Sequence, residues 1–248
     1  MTEHPRYELH YWPSIPGRGE FIRLAFHAAS VPFIDVARLP EAEGGGAGGV
    51  VRFMRGDQAG LQPFAPPFLR VGDVVLAQVA AILHFLGPRL GLSPDDELGR
   101  AEALQLQLTI SDLVSEVHDT HHPVYIGRAY EDQKAEALKR GGYFVSQRIP
   151  RLLEYFEGVL RRNTRGAGEH MVGDALSYVD TSMFQALAGL EYAFPKAFAR
   201  QTPRIPGLLA LRDRVAALPS IAAYLASPAR LPFGEGIFRR YPELDLAN

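Results

Sequence analysis

The chain has 248 residues, 47% of them hydrophobic, enough for one large domain or two small ones around a packed core. Its 26 basic and 28 acidic residues leave a formal charge of −2, which argues against nucleic-acid or anionic-membrane binding, since both need a basic field. No run approaches the ~20 apolar residues of a membrane span. With no cysteine the chain has no disulfide, thiolate metal site or protein thiol nucleophile, so any sulfur chemistry requires a sulfur-bearing substrate. The start, Met1 to Arg6, lacks the apolar core of a signal peptide, and a cytoplasmic protein is expected.

Tyr7 to Trp12 reads as a strand, followed by a Pro13 to Gly19 loop with two prolines and two glycines. Phe21, Ile22, Leu24, Ala25 and Ala28 recur at helical spacing; Ser30-Val31-Pro32 ends that helix, and Phe33 to Ala37 reads as a second strand, opening a βαβ unit. From Leu39 to Gln62 the pattern fails. Glu43-Gly44-Gly45-Gly46-Ala47-Gly48-Gly49 reads as low-complexity chain, with little regular helix expected before Val50. Pro66-Pro67-Phe68-Leu69 opens a hairpin turning at Gly72-Asp73, with Pro67 a candidate cis peptide. The next helix starts at Gln78, where free backbone N–H groups can receive an anion, and Gly87-Pro88 is expected to stop it.

After Pro94 strand signals give way to long helical patterns, from about Leu98 to His122 and from about Arg128 to Arg162. Ser177-Tyr178-Val179-Asp180 reads as a capping box with Asp in place of Glu. Pro195, Pro206 and Pro219 punctuate the remaining helices, and Phe233 to Asn248 is a tail with Phe238, Tyr241 and Leu244 as anchors. The expected class is α/β plus all-α: a unit over 1–88, a linker over 89–97, a helical unit over 98–230 and a tail over 231–248.

Tyr11-Trp12 with Gly17-Arg18-Gly19-Glu20-Phe21-Ile22-Arg23, then Pro66-Pro67-Phe68-Leu69, Gln78-Val79 and Gly173 to Asp180, in this order and spacing, resemble the cytosolic glutathione transferase family, its tyrosine type most closely. The resemblance implies a thioredoxin-like N-terminal domain followed by an all-helical domain, a homodimer, and detoxification chemistry. In that chemistry glutathione is a co-substrate, no cofactor is permanently bound, and the thiolate attacks a small apolar electrophile. It assigns Pro66, beside Pro67, the carbonyl that pairs with the cysteinyl backbone of glutathione, and Gln78 and Val79 the γ-glutamyl carboxylate. The glycyl carboxylate falls to one of Arg38, Arg52 and Arg55, with Arg52 preferred, and the amine to Asp112 of the neighbouring subunit. Three features depart from the pattern: Pro66 has no N–H, Val79 lacks a hydroxyl whose charge-assisted bond is on the order of 1.5–3 kcal/mol, and the glycine-rich stretch stands where the family usually places a Lys, Arg or Trp for the glycyl carboxylate. These departures leave open a catalytically weak binding protein, and serine-type isomerase or reductase chemistry is also open.

Glutathione's thiol has a pKa of ~8.5, so a transferase must favour the thiolate near neutrality. Tyr11 at the end of the first strand and Ser14 later in the loop are rival hydroxyl donors, and Arg18 is a candidate source of positive potential. His118 and His122 stand at i, i+4, but no third ligand follows at a fixed spacing, so no metal is expected. With Trp12, Ile15 and Tyr125 they are instead candidates for the electrophile pocket. Glu20 and Arg23, at i, i+3, read as a pair with each other or with the domain interface.

Overall fold

A computed structural model describes residues 5–56 and 61–246. Alternation in β1 (Tyr7–His10) buries Tyr7 and Leu9 against the main core and turns His10 to the opposite face. The sheet continues with β2 (Ile34–Asp35), β3 (Phe68–Val71) and β4 (Val74–Ala77), in the order β2-β1-β3-β4. β1 runs parallel to β2, and β3 is antiparallel to both β1 and β4. The hairpin turns at Gly72-Asp73 as expected, with Gly72 at φ +57°. Around the sheet lie α1 (Gly19–Ala28), α2 (Gly46–Arg55) and α3 (Val79–Leu90).

Helices fill the rest: α4 (Glu97–His121), α5 (Lys134–Tyr143), α6 (Ile149–Arg162), α7 (Tyr178–Ala193), α8 (Pro195–Gln201), α9 (Pro206–Ala217) and α10 (Pro219–Leu225). α7 is the hub, packed on α1, α4, α8 and α9. The Asp180 carboxylate at its start accepts from the N–H groups of Ser177 and Met171, each at 2.7 Å, and from Ser177 Oγ at 2.8 Å. Pro195, Pro206 and Pro219 each open a helix, where a missing N–H costs nothing.

Four expectations need correction. The second strand shrinks to Ile34–Asp35, because Val36–Arg38 turns as 3₁₀ helix and Arg38 Nε comes back to Asp35 at 3.0 Å. The glycine-rich stretch is ordered: Glu41–Glu43 is 3₁₀ and α2 starts at Gly46. Its glycines serve close contact, since a Cβ on Gly45 would lie 1.8 Å from the Leu39 carbonyl oxygen and one on Gly49 1.9 Å from that of Gly44. Residues 57–60 of that stretch lie outside the described residues. Pro88 sits inside α3, and the stop is made by Gly91 in the left-handed conformation at φ +66°. The helix expected from Arg128 to Arg162 starts at Lys134 and carries a π turn over Phe144–Arg148, because Pro150 has no N–H for the Ser146 carbonyl.

A buried ionic cluster ties the two halves. Glu20 Oε1 accepts from Tyr224 Oη at 2.6 Å and Arg230 Nη1 at 2.5 Å, while Oε2 meets Arg23 Nη1 at 3.3 Å. Arg23 Nε also holds Asp35 at 2.7 Å. The expected pairing of Glu20 with Arg23 and with the domain interface is thus present in both forms.

Candidate functional site

Tyr11 follows β1 and is buried beneath the loop that leads into α1. Its Oη accepts the Arg18 N–H at 2.8 Å. Glycine at 17 and 19 is what lets the ring lie there: a Cβ on Gly17, at φ +42°, would come 2.1 Å from Oη, and one on Gly19 would come 2.6 Å from the ring. The Arg23 guanidinium stands 5.8 Å from the ring centroid. Burial pushes the Tyr11 phenol up, and the Arg18 N–H and the charges of Arg18 and Arg23 pull it back. No protein acceptor among the described residues takes the phenolic proton, so the hydroxyl can donate to a sulfur brought against it. Ser14 lies in the turn that follows, exposed to solvent.

The peptide-binding candidates come from β3 and α3. The Pro66-Pro67 bond is cis, as the sequence suggested, with Pro66 half-buried and Pro67 buried. Gln78 makes no capping bond; it is exposed and held at φ +69°, an outlier for a residue with a Cβ. Val79 starts α3 with its side chain in a narrow crevice shared with Arg18, Phe21 and Val114, so thiol-side and carboxylate-side candidates meet there. Arg38 is committed to Asp35 and, at 2.6 Å, to the Ala229 carbonyl. Arg52 and Arg55 are exposed on α2 and make no ion pair among the described residues. Asp112 is exposed on α4.

On the other side of the loop, His118, His121 and His122 pack as a triangle with ring centroids 4.8 to 5.1 Å apart. His121 is buried with Nε2 at 2.9 Å from the Ile237 carbonyl; a carbonyl only accepts, so Nε2 carries the proton. Its pKa is held down to about 3 by burial and by the neighbouring His118, His122 and Arg239. That of His118 falls to about 4 through burial, His122, Arg18 and Arg239. Ile15 touches the tail: a Cβ on Gly236 would lie 3.5 Å from Ile15 Cδ1 and 3.7 Å from Gly17 Cα.

Two pocket candidates point elsewhere. Trp12 packs with Phe53 and Met54 on a separate small cluster of Ala37, Val50 and Phe68. Alternation carries the reason, because Trp12 shares the parity of His10 and Tyr11 that of Leu9. Tyr125 is 61% exposed, its loop pinned by the buried Gln133, whose Oε1 accepts from Val124 N at 3.0 Å and whose Nε2 donates to the Tyr125 carbonyl at 3.0 Å. Sequence reasoning missed Arg239 and the buried role of His121; the i+3 step from His118 was the one available signal for the latter.

Residues 118–228 match the family described as Glutathione S-transferase, C-terminal domain. The chain is 28% identical over 236 residues to Glutathione S-transferase 1 of Ascaris suum, covering 92% of this chain and 100% of that one. It is also 28% identical over 229 residues to Glutathione S-transferase P 1 of Xenopus laevis, covering 91% and 94%. Among solved structures, the Pi-class Glutathione S-transferase of Onchocerca volvulus superposes with a TM-score of 0.65 at 24% identity, covering 88% of this chain and 91% of that one.

Proposed function

We propose that the chain, whose residues 118–228 match the glutathione S-transferase C-terminal domain and which is similar over nine-tenths of its length to glutathione transferases, is a cytosolic glutathione transferase that holds glutathione as a thiolate against Tyr11 for attack on a small, mostly apolar electrophile. The observation that carries this reading is the Arg18 N–H to Tyr11 Oη bond, which orients the hydroxyl and leaves its proton for the sulfur. Lowering a thiol pKa by ~2 units requires ~2.7 kcal/mol, within reach of that hydrogen bond together with the Arg18 and Arg23 charges. The thiol proton leaves to solvent, sulfur forms the new bond to carbon, and the leaving group departs with its electron pair. In this reading the unit over 1–88 holds glutathione. Pro66 offers its carbonyl to the cysteinyl backbone, the start of α3 at Gln78 and Val79 faces the γ-glutamyl carboxylate, and Arg52, exposed on α2 and without an ion pair among the described residues, takes the glycyl end. The helical unit and tail frame the electrophile. Asp112 would act across a homodimer, and the cytoplasm is the proposed location. Among the described residues no helix is long and apolar enough to cross a membrane.

A second reading, a glutathione-binding protein with weak catalysis, draws support from Val79, whose buried apolar side chain offers a carboxylate nothing beyond the backbone N–H. One experiment separates them: glutathione titration followed by Trp12 fluorescence, then conjugation to an aryl chloride across pH in the native protein, Tyr11→Phe and Ser14→Ala. Tyr11→Phe is expected to move the thiol pKa back toward ~8.5 and to lower kcat/KM near pH 6.5 by about a hundredfold, with Ser14→Ala close to native. An unchanged thiol pKa in Tyr11→Phe would remove Tyr11 from the role, and binding without turnover in the native protein would favour the second reading.

A further inference from the structure

Resting on that reading, we propose that the electrophile is anionic: an acceptor bearing a carboxylate, seated at Arg239 between the C-terminal tail and the end of α4. The tail is a fixed wall. Asp245 accepts from the Lys196 N–H at 2.7 Å and the Ala197 N–H at 2.9 Å at the start of α8. Tyr241 stacks on Tyr130 at 3.8 Å, and the Phe238 ring occupies the space where a Cβ on Gly189 would sit, 2.5 Å away. So anchored, the tail lays Gly236 on Ile15 and Gly17 and carries Arg239 to the histidine triangle, beside the loop that holds Tyr11.

The Arg239 side chain is only 25% exposed, and its one carboxylate partner among the described residues is Glu235 at 3.2 Å, itself 73% exposed. A pair so open is weak, and Glu235 can return to water at little cost. Arg18 makes no ion pair among the described residues; its Nη2 donates to the neutral Ser115 Oγ at 3.3 Å, and its charge, like that of Arg239, holds the His118 pKa down. His118 and His121 stay neutral near pH 7, so they add hydrogen-bonding capacity without a counter-charge. Asp119, on the same helix, pairs with Arg140 at 3.6 Å, and its charge also acts on Arg18. Arg239 Nε also donates to the Gly236 carbonyl at 3.3 Å, but that oxygen carries no charge: a neutral acceptor closing over this cluster would desolvate the guanidinium without a counter-charge, whereas a carboxylate replaces the Glu235 pair with a better-shielded one.

The test compares 4-chloro-3,5-dinitrobenzoate with its methyl ester, each kcat/KM divided by the uncatalysed rate with glutathione. With both probes thiolate sulfur bonds to the ring carbon and chloride leaves with its electron pair, so only the distal charge differs. The native protein is expected to favour the carboxylate by about tenfold or more, mainly through KM, with the preference shrinking as salt rises. Arg239→Gln should bring the ratio close to one and Arg239→Lys should keep part of it, a rescue that a purely structural role would not give. Where Arg239→Gln does not fold, the Lys variant and the salt dependence of the native protein decide. Turnover of the ester with no preference for the carboxylate, or a preference that survives in Arg239→Gln, overturns the proposal and leaves the transferase reading standing. Failure to bind glutathione or to turn over either probe overturns the reading beneath it.

Discussion

The Val79 side chain lines the same crevice as Phe21 and Val114, while its amide belongs to the first turn of α3, where an N–H has no partner within the helix. Val79→Thr should therefore add a hydroxyl next to the proposed carboxylate position. Glutathione is expected to bind about tenfold more tightly, read by Trp12 fluorescence, and an unchanged Kd would place the carboxylate elsewhere. His10 makes a different prediction. It lies between Phe53 at 4.7 Å and Phe68 at 4.5 Å, with no partner among the described residues for either ring nitrogen. Burial, with Arg70, lowers its pKa to about 4 against the opposing pull of Asp35, and that of His121 lies near 3. The unfolded chain gains protons below about pH 6.5 that the native state refuses. Stability is thus complete above that pH and falls as pH drops toward 4, by up to about 1.4 kcal/mol per pH unit for each histidine. Urea midpoints from pH 7 to 4.5 check this, and His10→Phe should flatten the slope by one proton; a flat native profile would contradict it. At this scale Tyr11 was legible from its place after the first strand. Its partner was not, because the Arg18 N–H belongs to the main chain and the roles of Gly17 and Gly19 appear only once the ring is folded onto them.

Among the elements, α7 depends on a carboxylate more than on a hydroxyl. Asp180→Ala strands the buried N–H groups of Ser177 and Met171 and should cost about 3 kcal/mol, whereas Ser177→Ala removes one bond and should cost about 1 kcal/mol. Equal losses in urea denaturation would contradict that division. The Ser177-x-x-Asp180 spacing was readable because a capping box is local, involving one turn of helix. The Met171 contact and the start of α2 were not, since both depend on chain that folds back from outside the element. In composition alone, a glycine needed for the approach of Gly49 to Gly44 is indistinguishable from a glycine in a mobile linker. Pro88 and Pro150 make the converse point. A proline can be carried within α3, or absorbed as a π turn ahead of α6, when the packing on either side holds the helix together.

Across the whole molecule, α3 and α4 leave an apolar groove of about 760 Å³ lined by Leu76, Ala81, Phe85, Leu104 and Leu108, and Phe64 stands 97% exposed ahead of β3. These surfaces support the proposed homodimer. Sedimentation velocity should find a dimer in the native protein, and Leu108→Glu should weaken it about a hundredfold or more by placing a charge in the groove. A native monomer, or a dimer indifferent to that charge, would contradict the assignment. The division into an α/β half and a helical half was legible because hydrophobic periodicity changes after Pro94; the seam between the halves was not, because Arg230 lies 210 positions from its partner Glu20. That seam bears on recombination. An α/β half taken from a relative and joined to this helical half would have to bring a carboxylate at position 20 to meet Tyr224 and Arg230, or leave a guanidinium group without its counter-charge at the junction. The two halves have separate folds, yet they are not interchangeable parts.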